Sequence, residues 1–267
     1  MITNMVIGSE GFIGSSLCLF LKNKGERVIH FDLKRSALED ARIAKINFDN
    51  IDRVYFLAWD VGGAKYLYKN NSQMNQLDWN LGILMNIMPQ LEKSKKPFLF
   101  VSSQLAEECD TVYGVTKRLG EVWTKLINGV FVRQWNVYGP FENRSDRSHV
   151  VADFIYQALT TKTIKMITTG NEKRQFIYID DVCEAWHKAI SDNIKGVYDI
   201  TSFEWKSVID VANVIAKLTQ SIVVPGQEIG STPLTPINGK IPGWFPRVSL
   251  EDGLKKTIED FNKRINL

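Results

Sequence analysis

Tyr113 and Lys117 stand four residues apart in the run Tyr113-Gly114-Val115-Thr116-Lys117. On a helix, that spacing puts a phenol and an ammonium one turn apart on one face, where side chains meet. A cation beside a phenol favours the phenolate, so the pair is a candidate proton-transfer group for near-neutral pH. A solvated helix face carries the same spacing, so the choice rests on what the rest of the chain brings to Tyr113. Ser103 ends the apolar run 97–101 with Ser102, where a hydroxyl either caps the next turn or faces a ligand. Gly8, Gly11 and Gly14 lie between an apolar stretch at 4–7 and a helical pattern opening at Phe12 and Ile13. Strand, glycine turn and helix in succession aim a helix N-terminus at a phosphate, and the glycines let the backbone approach it.

These groups need elements to position them. A second apolar strand, 28–31, ends at Asp32, whose carboxylate suits ribose hydroxyls and repels a 2′-phosphate. That favours NAD; Lys34 and Arg35 close behind leave NADP open. The next strand, 53–58, carries Leu57 and Ala58 into the loop 59–63, whose small residues are expected to admit a cofactor. Apolar residues at helical spacing predict a long helix over 73–93, and a strand follows at 97–101. A helix from Tyr113 stops at Asn128-Gly129 before a strand at 130–134. This alternation predicts an α/β fold with a doubly wound parallel sheet, whose ligands sit beyond the carboxyl ends of the strands. The glycine turn, Asp32, Ala58, Ser103 and Tyr113 all fall at that edge.

After residues 136–140 the texture changes. Residues 1–136 are expected to form the cofactor domain and 137–267 mainly a smaller substrate-binding lobe, with a segment near 175–201 returning to the first. The pattern predicts helices near 148–160 and 205–218, strands at 163–167, 175–179 and 197–200, and a helix after Ser249. Asp180-Asp181 is read as a helix cap, and 225–246 as irregular.

The 267 residues are 44% hydrophobic, enough for a buried core. A net charge of +3 with dispersed Lys and Arg argues against a nucleic-acid partner. Cys18, Cys109 and Cys183 are odd in number and far apart, which suits a reducing cytoplasm and gives no metal-binding spacing. The opening residues lack a leader's apolar run, and no stretch approaches a membrane span, so a cytoplasmic protein is expected.

With these residues in place, the chain resembles the extended short-chain dehydrogenase/reductase family, in its NAD-dependent epimerase/dehydratase branch acting on nucleotide sugars. The matching pieces are GSEGFIG at 8–14, FD at 31–32, FLFVSS at 98–103, YGVTK at 113–117, NVYGP at 136–140, RQFIYIDDV at 174–182, GVYDIT at 196–201 and PRVSLEDGLKKTI at 246–258. The resemblance implies a Rossmann cofactor domain. It makes Tyr113 the general acid/base at a sugar oxygen and Ser103 a hydrogen-bonding partner of that oxygen. Lys117 is to hold the nicotinamide ribose and keep the tyrosine acidic, and Asn136 and Arg174 are to lie by the nucleotide diphosphate. Helices 73–93 and 113–128 match those the family packs into a dimeric four-helix bundle, which implies a homodimer.

The departures are informative. Only residues 104–112 separate Ser103 from Tyr113, fewer than the family usually has, and Gln104-Leu105 replaces the Asp-Glu pair of its dehydratases. Ser148-His149-Val150 resembles the segment around the histidine base of GDP-fucose synthases, although Leu105 stands where those enzymes carry a cysteine acid. His149 is therefore a candidate sugar-binding residue, while His30 and His187 read as structural. The leading expectation is an NAD-dependent nucleotide-diphosphate-sugar 4-epimerase working through a 4-keto intermediate. An NAD(P)H-dependent 4-ketoreductase is the alternative, and a non-catalytic nucleotide-binding protein the third reading.

Overall fold

The computed structural model describes residues 1–67, 70–232 and 237–265. In chain order the first half runs β1 (Thr3–Ile7), α1 (Phe12–Asn23), β2 (Arg27–Phe31), β3 (Arg53–Phe56), α2 (Ala64–Leu67), α3 (Asn70–Ser94), β4 (Phe98–Ser103), α4 (Val112–Leu126) and β5 (Val130–Gln134). The second half runs β6 (Asn136–Tyr138), α5 (Val150–Thr161), β7 (Thr163–Lys165), β8 (Lys173–Arg174), β9 (Phe176–Tyr178) and α6 (Ile179–Ser191). It continues with β10 (Asp199–Ile200), β11 (Lys206–Ser207), α7 (Val208–Thr219), β12 (Ile222–Val224) and α8 (Leu250–Ile265).

Six strands form one sheet in the order β10-β5-β4-β3-β1-β2, parallel at every pairing. The near-continuous apolar runs of β1, β4 and β5 arise because both faces of such a sheet are covered. On one face Leu17, Leu21, Val182 and Trp186 of α1 and α6 pack on Val6, Leu99 and Val132. On the other, Leu84, Ile87 and Leu91 of α3 meet Met5, Val54 and Phe100. β1 has β2 on one side and β3 on the other, so the chain reverses direction across the sheet there and opens a crevice at the carboxyl ends. β6 pairs with β9, β7 with β12 and β8 with β11 outside the main sheet.

The doubly wound sheet and its order of elements follow the sequence expectation, with local corrections. The strand predicted at 53–58 ends at Phe56, though the Leu57 and Ala58 amides both still donate to Ile7 O. The strand predicted at 163–167 ends at Lys165. The helix predicted from 205 starts at Val208, because Ser207 and Asp210 form a capping box there and Trp205 instead packs against Trp135. Asp180 and Asp181 do not cap α6, whose N-cap is Tyr178. Asp181 accepts from the amides of Arg247 and Val248, at 3.0 and 2.9 Å, and so ties the chain leading into α8. Of the irregular segment at 225–246, positions 233–236 lie outside the described residues.

Candidate active site

The glycine turn is built for close approach. Gly8 has a φ of +98°, and a Cβ there would stand 2.6 Å from Ala58 N, so β1 and β3 converge only around a glycine. A Cβ at Gly14 would stand 2.0 Å from Gly8 O, which keeps α1 tight against the turn. Gly11 is the N-cap of α1 and supplies no side-chain bond, which leaves the first amides of α1, from Phe12 and Ile13 onward, to a ligand. Asp32 lies beyond β2, and its oxygens accept from Glu10 N and Lys34 N, both at 2.9 Å. Lys34 Nζ reaches Glu10 O at 3.2 Å, and Arg35 faces Glu10 and Glu39 at 3.5 and 3.7 Å. The two cations that suit a 2′-phosphate are thus engaged, and the cradle with its acid fits NAD.

The catalytic candidates meet at the ends of β4 and α4. Thr111 caps α4 by accepting from Gly114 N at 3.0 Å, a bond worth about 1 kcal/mol in typical caps. A Cβ at Gly114 would lie 2.3 Å from Leu105 O, so the glycine lets the helix start press against the short turn after Ser103. Tyr113 is thereby brought to Ser103. Ser103 Oγ accepts from Leu105 N at 3.2 Å, so this serine caps its own turn beside the phenol.

Lys117 is buried between β4 and the loop after β3. Its ammonium donates to Val101 O at 2.6 Å and lies 4.0 Å from the Trp59 ring, while the Tyr113 ring is 5.7 Å away. Burial pushes the Tyr113 phenol up to about 12, with the Ser103 hydrogen bond pulling the other way. Burial also drives the Lys117 ammonium well below the ordinary lysine range, opposed by the charge of Glu121. In the loop after Ala58, Trp59 packs among Phe56, Phe100 and Lys117.

The remaining candidates form two further groups. Asn136 Nδ2 donates to Gln175 O at 3.4 Å, beside Arg174, whose guanidinium donates to Lys173 O at 2.7 Å. His149 is the N-cap residue of α5 but makes no side-chain cap bond. Instead its Nδ1 and its backbone amide each lie 2.7 Å from one oxygen of buried Glu142. The loop after β3 connects to this group through Gly63 N, which donates to Arg147 O at 2.8 Å, and through an ion pair between Asp60 and Arg147. His30 and His187 pair with Glu10 and Glu26, as befits structural histidines.

Sequence reasoning passed over Trp59, Glu121, Arg133 and Glu142. Arg133 had a readable signal: a cation inside the apolar run VFVRQ needs a buried acid, which Glu121 supplies. Glu142 lies in a polar loop with no periodicity to mark it.

A family model described as the NAD dependent epimerase/dehydratase family matches residues 4–201. The chain is 25% identical to a UDP-N-acetyl-alpha-D-glucosaminuronate decarboxylase of Bacillus cytotoxicus over 97% of both chains. It is 26% identical to GDP-mannose 3,5-epimerase 1 of Oryza sativa subsp. indica, over 94% of this chain and 79% of that one. Among solved structures, UDP-glucose 4-epimerase of Thermotoga maritima with UDP-glucose superposes with a TM-score of 0.79 at 22% identity, over 99% of this chain and all of that one. The Bordetella bronchiseptica enzyme WbmF in complex with NAD+ gives 0.78 at 24% identity, over 99% and 94% of the two chains.

Proposed function

The chain belongs to the NAD dependent epimerase/dehydratase family, and within it we propose a nucleotide-diphosphate-sugar epimerase that inverts C4 through a 4-keto sugar. The observation that carries the reading is the buried placing of Tyr113 at Ser103, with Lys117 beside them and the glycine cradle on the same sheet edge. NAD is the family's cofactor; bound, it supplies a hydride acceptor that returns what it takes. Gly8, Gly11 and Gly14 with the first amides of α1 would hold its diphosphate, and Asp32 its adenosine ribose. Tyr113 takes the proton of the sugar 4-hydroxyl and gives it back, while Ser103 hydrogen-bonds the same oxygen as charge develops. Asn136 and Arg174 are assigned to the sugar nucleotide's diphosphate, which a guanidinium suits by its paired donors. Gln104-Leu105 after Ser103 offers no acid/base pair for dehydration.

The substrate lobe is assigned to 137–267, the compartment to the cytoplasm, and the working form to a homodimer. In support of the dimer, Val115, Leu119, Val122 and Leu126 form an exposed apolar stripe on α4. No described helix is long and apolar enough to cross a membrane.

One observation favours a second reading, a 4-ketoreductase. Glu142 holds His149 through Nδ1, which directs the other ring nitrogen outward as a further acid or base. Incubation with UDP-glucose, UDP-galactose, UDP-N-acetylglucosamine and GDP-mannose separates the two. An inverted C4 by proton NMR with no net NADH change supports the epimerase. Stoichiometric NAD(P)H consumption with a 4-keto sugar overturns it in favour of the reductase. No conversion of any sugar, with NAD bound, overturns both.

A further inference from the structure

Trp59 opens the loop after β3, and its indole lies against Lys117. The ammonium lies 4.0 Å from the Trp59 ring and 5.0 Å from the Phe100 ring. Trp59 is fixed in turn by tilted contacts with Phe56 and Phe100, at centroid distances of 6.3 and 5.5 Å. Its buried Nε1 has no hydrogen-bond partner among the described residues, so the ring is oriented by its faces and edges. The ammonium thus has one carbonyl acceptor, Val101 O, and an aromatic face beside it.

We propose that Trp59 is a positioning residue for the reaction inferred above, holding the Lys117 ammonium charged and in place one helical turn from Tyr113. The proposal rests on that reaction only for its purpose, since the contact stands without it. The physical need is plain: an ammonium taken out of water tends to give up its proton, and a buried aromatic face is attractive only while the charge remains. The groups facing it are few. Tyr113 and Glu121 share α4 with it, and Glu121 is itself committed to Arg133, Ser102 and Arg118. β4 contributes Val101 O and Phe100, and Asp60, next to Trp59, is paired with Arg147 and Tyr66. Beside the charge of Glu121, the aromatic rings and one carbonyl are therefore what favour the charged form of Lys117.

The test is an NMR titration of lysine Nζ signals in the full chain, with Lys117 assigned by its loss in Lys117→Met. Trp59→Leu is expected to lower the Lys117 midpoint by about one pH unit, a tenfold change in its protonation equilibrium, with Trp59→Phe in between. In turnover assays the alkaline limb of kcat should move down by the same amount, while KM for the nucleotide sugar changes little. A Lys117 midpoint identical in wild type and Trp59→Leu overturns the proposal. Should Trp59→Leu fail to fold, incorporation of a fluorinated tryptophan keeps the indole's shape and weakens its negative face. An unmoved midpoint in that protein overturns the proposal equally. The two readings fail separately: a responsive Lys117 in a protein that converts no nucleotide sugar sinks the reaction, and an unmoved Lys117 in an active epimerase sinks the clamp.

Discussion

Arg133 and Glu121 meet at two points, Nε to Oε1 at 2.8 Å and Nη2 to Oε2 at 2.9 Å, with both side chains 1% exposed. Ser102 Oγ adds a third bond to Glu121 at 2.7 Å, so β4, β5 and α4 are locked together one residue from Ser103. A buried pair holds only while both charges are matched. Glu121→Ala should cost about 3 kcal/mol in denaturant unfolding, because it leaves the buried guanidinium with only the partly exposed Glu107 as an acidic partner. Replacing both residues, Glu121→Leu with Arg133→Met, should recover much of the loss. A single variant as stable as wild type contradicts this role.

Tyr113 gives a signed pH effect. Its phenol titrates near 10 when unfolded and is pushed up to about 12 when folded, so the folded chain holds the proton more tightly. That stabilisation is complete below pH 10 and fades as pH rises towards 12. Tyr113→Phe should lack this slope, a difference on the order of 2–3 kcal/mol at the upper end, read from denaturant midpoints at stepped pH. The same variant should lose about 10²- to 10⁴-fold in kcat while binding NAD as wild type does.

His149 is shifted upward although it is partly desolvated. Burial alone lowers it, but the hydrogen bond and charge of Glu142 outweigh burial and raise it above 6.5. The pair therefore stabilises the fold fully below pH 6.5, and the contribution disappears as pH climbs through the raised folded value. Glu142→Gln should bring the His149 midpoint down in imidazole NMR and remove that acid-side stability. A midpoint unchanged by Glu142→Gln excludes the pairing in solution.

The exposed stripe on α4 predicts assembly. Leu119 and Val122 are 46% and 48% exposed, with Val115 and Leu126 continuing the same face. Wild type should sediment as a dimer, and Leu119→Asp with Val122→Asp should release monomers with unchanged circular dichroism. A wild-type monomer at micromolar concentration refutes the homodimer.

Asp32 predicts cofactor preference. Losing its charge-assisted hydrogen bonds to ribose should weaken NAD about 10- to 100-fold in calorimetry, as Asp32→Ala. NADP should bind more tightly, because the charge that repels its 2′-phosphate is gone, so the gap between the two closes. Equal loss for both cofactors would show that Asp32 acts on the turn alone.

What was legible in the sequence was local. Gly8 to Gly14, Asp32 and Tyr113 announce themselves because their roles depend on neighbours within one turn or one strand. Trp59 and Lys117 are 58 positions apart, and Glu142 serves a histidine across a loop; such pairings are made by packing, which spacing does not encode. Asp181 misled for the same reason, since an acid in a first helical turn reads as a local cap until the chain at 247–248 arrives to claim it.

β10 reaches the sheet long after its neighbour. Gln134 Nε2 bonds Ile200 O across a separation of 66 residues, and the register joins Asp199 to Arg133 and Ile200 to Gln134. During synthesis β5 is therefore an open strand edge until about 201 residues have emerged. A nascent chain stopped before that point would expose the flank of β5, carrying Arg133 and Gln134, to stray pairing. The last strand of the main sheet to be made thus covers the β5 flank and leaves the sheet protected on that side.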